Sequence, residues 1–291
     1  MRYRRERVEL SDGDFIDLDW VDAEAGRKGY CVVALHGLEG SSEAPYIKTM
    51  LRAFSNDGYA AAGMNLRGCS GEPNRKLRSY HSGSSDDLKE VLDHLYPKFG
   101  SIFLVGFSLG GNIVLKHLGE EGRSLDGRLK GAAAFSVPCD LASSAEALKR
   151  RSNALYMRRF MAHLGKKVGE KAARFPGQVD GEAWKKMRTF GEFDDFYTAP
   201  LNGFEGAEDY WRRASSQPLL GRIARPALLL SALNDPFLPD ACYPRAEAAA
   251  SDWLHLETPK SGGHCGFPGV RGKRGYWIEE RALRFFEDRG A

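Results

Sequence analysis

Gly106-Phe107-Ser108-Leu109-Gly110 sets a serine between two glycines, with the apolar run Ile102-Phe103-Leu104-Val105 before it and Gly111-Asn112-Ile113-Val114-Leu115 after it. Strand, sharp turn and helix in that order form a nucleophile elbow. Small residues on both sides permit the strained turn, and the Ser108 hydroxyl stands exposed over a helix N-terminus. A serine hydroxyl is a weak nucleophile at neutral pH and needs a base within hydrogen-bond reach, itself oriented by a carboxylate. Where such an elbow is used, the chain order is Ser, acid, His. Asp235, in Asn234-Asp235-Pro236-Phe237, follows the apolar run Ala227-Leu228-Leu229-Leu230-Ser231. His264 sits in Gly262-Gly263-His264-Cys265-Gly266-Phe267, after the last strand-like run. Both fall at the strand ends that meet Ser108, so Ser108, Asp235 and His264 are the expected catalytic residues.

Other residues compete for these roles. His94, His117 and His163 lie in helical stretches and His255 lies inside a strand pattern. Asp240 and Asp252 are alternative acids, but Asp252 precedes the last strand and so sits at the wrong end of the sheet. Cys265 adjoins His264, and side chains adjacent in sequence point apart, which makes it a poor nucleophile for that base. In His36-Gly37-Leu38-Glu39-Gly40, at the end of the first buried strand, backbone N–H groups can face the serine. The Leu38 and Leu109 N–H groups are therefore the expected oxyanion donors. His81, in Ser79-Tyr80-His81-Ser82-Gly83, is either part of the site or a hydrogen-bonded loop residue. With no H-E-x-x-H, P-loop or G-x-G-x-x-G pattern, neither a metal nor a cofactor is expected.

The elements that must position these groups follow from hydrophobic pattern. Residues 8–10 and 15–20 are short strand-like runs about the turn Ser11-Asp12-Gly13-Asp14, which predicts an N-terminal β-hairpin. Tyr30-Cys31-Val32-Val33-Ala34-Leu35 is an unbroken apolar run, the mark of a strand buried on both faces. Residues 59–64, 102–105, 131–137, 227–231 and 253–256 repeat that pattern, and residues 85–95 and 111–118 are helical between them. Alternation of this kind predicts an α/β fold with a mostly parallel central sheet and ligands at the strands' C-terminal ends. It lapses after Pro138-Cys139 and resumes near Arg225-Pro226, so residues 141–225 are expected as an inserted helical cap on a core formed by 1–140 and 226–291. Ala154, Met157, Met161, Leu164 and Val168 recur at steps of three and four, one apolar helix face whose commonest use is core packing. Tyr156, Met157, Phe160 and Met161 from this cap, with Phe107 beside the nucleophile and Phe237 beside the acid, are the candidates for substrate contact. Phe193, Phe196 and Tyr197 lie further along the same segment.

Charge and composition limit the partners. With 42 basic and 39 acidic side chains the net charge is +3, too near balance for a dedicated nucleic-acid binder. The 42% hydrophobic and 28% charged content excludes disordered and collagen-like classes. Residues 141–190 carry twelve Lys and Arg against four acids. Salt bridging on solvated helix faces is the ordinary use of such a segment, and attraction of anionic substrates or peripheral contact with a membrane surface is the other. The first seven residues are basic, but Ser11-Asp12-Gly13-Asp14 stands where the apolar stretch of a secretory signal would follow. No uncharged run of about 18 residues occurs, so no membrane span is expected. Cys31, Cys69, Cys139, Cys242 and Cys265 are scattered without a C-x-x-C pair, which fits reduced thiols and a cytoplasmic location.

Taken together, six stretches resemble the YheT-like branch of the α/β-hydrolases, the branch that includes related animal abhydrolases. They are His36-Gly37-Leu38-Glu39-Gly40, the run from Asn65 to Asn74 (Asn-Leu-Arg-Gly-Cys-Ser-Gly-Glu-Pro-Asn), Ser79-Tyr80-His81-Ser82-Gly83, Gly106-Phe107-Ser108-Leu109-Gly110-Gly111-Asn112, Asn234-Asp235-Pro236-Phe237 and Gly262-Gly263-His264. The resemblance implies an α/β-hydrolase fold and a serine hydrolase for carboxylic esters, often of short or medium acyl chains, with Ser108, Asp235 and His264 as its triad. It also implies that residues 67–74 lie next to the site, whereas from sequence alone they are a Gly-rich loop after a strand. The cap carries little of the likeness, so the substrate does not transfer. An acyltransferase or thioesterase would use the same triad, and a non-catalytic binding protein would keep the fold while losing a triad member.

Overall fold

In the computed structural model, which describes residues 2–21, 29–267, 272 and 274–288, the chain alternates strand and helix around one eight-stranded sheet. The order along the chain is β1 (Arg4–Glu9), β2 (Phe15–Val21), β3 (Tyr30–Leu35), α1 (Pro45–Asn56), β4 (Ala60–Asn65), α2 (Ser85–Leu95), β5 (Ser101–Phe107), α3 (Leu109–Glu121) and β6 (Leu129–Phe135). A helical interval follows, with α4 (Leu141–Leu148), α5 (Ala154–Arg174), α6 (Phe190–Phe193), α7 (Ala199–Leu201) and α8 (Ala207–Ala214). The chain then returns through β7 (Ala227–Leu230), α9 (Arg245–Ala249), β8 (Leu254–Glu257) and α10 (Trp277–Glu287). Across the sheet the strands lie in the order β1-β2-β4-β3-β5-β6-β7-β8. β1 and β2 form the expected antiparallel hairpin, β2 pairs antiparallel with β4, and every later pairing is parallel.

The sheet is buried on both faces, which is why its strands read as continuous apolar runs. Cys31, Val33, Leu35, Ile102 and Leu104 pack on the face that holds α2 and α3. Val32, Ala34, Phe103, Val105 and Phe107 pack on the other, with α1 and α10. Strand β2 departs from the pattern because it buries two carboxylates. Asp17 and Asp19 are paired across the hairpin with Arg7 and Arg5, and Ser42 and Asn65 also donate to Asp19. A buried charge is tolerated only when its lone pairs are met in this way.

Among the described residues no strand lies between β6 and β7. The interval does not form a separate layer throughout. Residues Gln217–Arg222 form a 3-10 turn on α3, where a Cβ at Gly119 would come within 2.5 Å of the Leu219 carbonyl. On α5 the expected apolar stripe is buried at Met157, Met161, Leu164 and Val168. α6 and α7 are joined through a π-turn at Asp194–Thr198, so that Phe190 to Leu201 run as one irregular helix.

Candidate active site

Gly106 and Gly110 make the turn at Ser108 sterically possible. A Cβ at Gly106 would lie 2.6 Å from the Gly110 carbonyl oxygen, and one at Gly110 would lie 2.6 Å from the Leu35 and His36 oxygens. Ser108 itself sits at φ 51 and ψ −118, a backbone conformation costly for any side chain and retained where the surroundings over-determine it. Its N–H donates to Phe135 on the neighbouring strand at 2.8 Å.

The loops after β7 and β8 carry the partners. Asp235, almost fully buried, accepts the Phe237 N–H at 3.0 Å on Oδ1 and His264 Nδ1–H at 2.8 Å on Oδ2. The other ring nitrogen, His264 Nε2, lies 2.9 Å from Ser108 Oγ. With Nδ1 donating to a carboxylate, Nε2 is the acceptor and the serine hydroxyl the donor. The His264 loop is held from two sides, by Asn234 Oδ1 accepting from Gly262 and Gly263 and by Ser136 Oγ accepting from Cys265 N–H at 3.0 Å. Burial works against the imidazolium, but the Cys265 sulfur and the Asp235 carboxylate favour it, and the balance holds His264 above the ordinary histidine range.

His36 shapes the opposite wall. It is fully buried, accepts the Leu66 N–H on Nε2 at 3.1 Å and so donates from Nδ1 to the Gly37 carbonyl at 2.7 Å. Burial pushes its pKa down to about 4, so it stays neutral and ties the ends of β3 and β4 together. The N–H groups of Leu38 and Leu109 donate to no acceptor within the described protein, and both residues border the same cavity as Ser108 and His264. Such an arrangement can take a proton from Ser108, stabilise the imidazolium that results and offer two amide donors to a developing oxyanion.

The cavity, about 190 Å³, places the sequence candidates as follows. Phe160 and Phe237 line it, with Phe193 and Tyr197, and the Phe237 ring lies 4.4 Å from the His264 ring. Phe107 does not. Alternate residues of β5 point to opposite faces, so Phe107 is fully buried in the core against Tyr46 and Phe135. Met157 and Met161 are packed in the cluster behind Phe237 rather than on the cavity wall. Tyr156 is half exposed and meets Phe237 from outside, while Phe196 is also exposed. His81 does line the cavity, kept neutral by burial that pushes its pKa down to about 3. Arg67, Gly68, Pro73 and Asn74 line it as well, so that loop borders the site. The alternative acids lie elsewhere, Asp240 exposed and paired with Arg245, and Asp252 exposed ahead of β8. His94, on α2, pairs with Glu6 of β1, and His117 is buried in α3. Among the described residues no group of His, Cys, Asp and Glu is arranged to hold a metal ion.

Three positioning residues carried no individual signal in the sequence. Asn112 donates to the Ser82 and Ala214 carbonyls and accepts from Ser216 N–H, joining α3 to both the 79–83 loop and the end of the helical interval. Asn234 and Ser136 act on the His264 loop as described.

Residues 30–268 match the sequence model of the alpha/beta hydrolase fold. The chain belongs to that family. It is 37% identical over 270 residues to YheT of Escherichia coli (strain K12), covering 91% of this chain and 78% of the relative. Phospholipase ABHD3 of Homo sapiens is 30% identical over 279 residues, covering 92% of this chain and 67% of the relative. Among solved structures, the esterase Pf2001 of Pyrococcus furiosus superposes with a TM-score of 0.63 at 14% identity, over 99% of this chain and 93% of that one. This is therefore a member of a hydrolase family with esterase and lipase relatives, and no helix among its described residues is long and apolar enough to cross a membrane.

Proposed function

We propose that the protein hydrolyses carboxylic esters of short to medium acyl chains through an acyl-Ser108 intermediate. The observation that carries this reading is the hydrogen-bond chain Ser108 Oγ to His264 Nε2 at 2.9 Å and His264 Nδ1 to Asp235 at 2.8 Å, placed at a partly apolar cavity. Ser108 Oγ attacks the ester carbonyl carbon as its proton passes to His264 Nε2, while the carbonyl oxygen, now negative, is met by the Leu38 and Leu109 N–H groups. Collapse of the tetrahedral species expels the alcohol, which takes the proton from His264. Water then attacks the acyl-serine by the same route, releasing the acid and restoring the Ser108 hydroxyl.

Asp235 fixes the tautomer of His264 and stabilises its charged form. Phe160 and Phe237 supply the apolar surface for the acyl chain, and residues 141–225 act as the cap that selects it. The names of two relatives, phospholipase ABHD3 and the monoacylglycerol lipase of Saccharomyces cerevisiae, support an acyl ester as substrate. The five free thiols suit a cytoplasmic setting. The test is a fluorophosphonate label run beside a panel of p-nitrophenyl acyl esters. The adduct is expected on Ser108, and Ser108→Ala is expected to lose both labelling and hydrolysis. Stoichiometric labelling of another serine would reject the assignment.

A further inference from the structure

The loop that bears Leu38 is gripped by the helical interval. Lys167, on α5, lies 3.1 Å from Glu39 Oε1 and 2.9 Å from Cys69 Sγ, with its ammonium 4.6 Å over the Tyr80 ring. Tyr80 completes the grip, since its hydroxyl donates to Glu39 Oε1 at 2.5 Å and accepts the Glu39 N–H at 2.8 Å. Glu39 thus has its amide and its carboxylate engaged, while the amide of the preceding residue, Leu38, is left for a ligand.

Glu39 sits at φ 54, a left-handed conformation that a glutamate adopts only at a cost. The turn is closed by the Gly40 N–H donating to the Gly37 carbonyl at 3.0 Å and anchored to the core by the Gly37 N–H donating to the Tyr46 hydroxyl at 3.1 Å, and the Glu39 contacts add its tie to α5. The Leu38 side chain packs against the apolar cluster of α5, which includes Leu164 and Val168 on either side of Lys167. Burial opposes the charge on Lys167, but Cys69 and Glu39 more than offset that, and its pKa is raised. Glu39 is the more buried partner, its side chain 8% exposed against 28% for Lys167, so removing the ammonium leaves a buried carboxylate short of its counter-charge and unsettles the turn that carries it.

We propose that Lys167 is a positioning residue for the oxyanion donor: through Glu39 it holds the Leu38 N–H toward Ser108, so that the donor is aimed only while α5 is seated on the core. This rests on the esterase reading given above. Lys167 lines the cavity, but its polar contacts go to Glu39, Cys69 and the Tyr80 ring rather than to Ser108, Asp235 or His264. It acts on the developing negative charge by way of Glu39 and the peptide before it, and so affects the transition state more than the bound ester.

The test uses the full chain and p-nitrophenyl acetate, whose short acyl group depends least on the cavity wall. Lys167→Met is expected to lower kcat by about tenfold to a hundredfold, part of the 10²–10³ that follows complete removal of an oxyanion donor, with KM within about twofold. Lys167→Arg is expected to recover most of the loss, and thermal unfolding separates misfolding from misplacement. Glu39→Gln, which keeps an acceptor for Tyr80, should behave like Lys167→Met, and the double variant should be no worse than either single one. Losses that multiply in the double variant, or a Lys167→Met enzyme within twofold of native kcat, would overturn the proposal. Fluorophosphonate labelling of the native chain keeps the two readings apart. A native Ser108 that labels beside an unaffected Lys167→Met variant removes only this inference, whereas a native Ser108 that does not label removes the esterase reading itself.

Discussion

Asn234 Oδ1 accepts the N–H of Gly263 at 2.9 Å, so the residue before the candidate acid grips the residue before the candidate base. Gly262 donates to the same oxygen at 3.0 Å. The loops after β7 and β8 are thereby locked one peptide away from the Asp235–His264 hydrogen bond, and a small displacement of this lock moves His264 relative to Ser108.

Replacing Asn234 by Ala leaves two loop amides without their protein acceptor, and because Asn234 is exposed and water can take its place, the folding cost is that of an ordinary hydrogen bond, about 0.5–1.5 kcal/mol. The expected outcome is a fall of about tenfold to a hundredfold in kcat/KM for short esters with a smaller change in Tm. Steady-state kinetics and calorimetry on the purified variant check it. Retention of more than half the native rate would mean that the Ser136 to Cys265 contact alone holds the loop.

The pH profile follows from the raised pKa of His264. A base must be neutral to accept the Ser108 proton, so activity is present above the folded-state pKa and is lost as pH falls through it. Because the shift is upward, the acid-side midpoint of kcat/KM is expected above the unperturbed value of about 6.5. Asp235→Asn removes the favouring carboxylate, so its midpoint should fall while kcat drops by orders of magnitude. A native midpoint below 6 would contradict the electrostatic reading of this pair.

Gly110→Ala tests the steric origin of the elbow. The added methyl would meet main-chain oxygens at 2.6 Å, which a flexible side chain cannot relieve. Loss of about 2 kcal/mol or more of stability is expected, with fluorophosphonate labelling of Ser108 reduced in the molecules that still fold. Denaturant unfolding and labelling rates measured on the same preparation decide the matter.

Chain-length preference separates the cavity from the core. Each methylene buried in the transition state is worth about 0.8 kcal/mol, or roughly fourfold in rate. In the native enzyme kcat/KM should rise from acetyl through butyryl toward hexanoyl or octanoyl esters and then level. Phe237→Ala and Phe160→Ala should flatten that rise, since both side chains line the cavity. Phe107→Ala should leave the slope alone and instead lower stability by about 3–5 kcal/mol, as a core aromatic does. A native profile that declines from acetyl upward would remove the medium-chain part of the proposal.

Much of this arrangement was legible in the residues themselves. Strong local signals marked the hairpin, the parallel strands and the helix over Ser85–Leu95, because turn residues and apolar periodicity act over a few neighbouring peptides. The order Ser108, Asp235, His264 could be read for the same reason, each residue lying just beyond the end of an apolar run. Which face a side chain takes was harder. In a strand buried on both sides every position is apolar, so nothing in β5 distinguishes the Phe107 side from the Leu104 side. The stripe on α5 likewise revealed an apolar face but not that Met157 and Met161 would pack behind Phe237.

What the sequence by itself determined is the chemistry that short-range sterics impose: a serine at a glycine-flanked turn, an acid and a histidine after successive strands, and apolar segments long enough to build the sheet beneath them. Only the tertiary structure decided which distant groups meet. Ser108 and His264 are 156 positions apart, and Asn112 reaches Ser216 across 104. Lys167 likewise finds Glu39 only once α5 is laid over the loop after β3. The reason is physical: turn geometry is set by atoms a few bonds apart, whereas the partner of a long polar side chain is set by how whole helices seat on the sheet, a collective packing outcome to which no single stretch of residues corresponds.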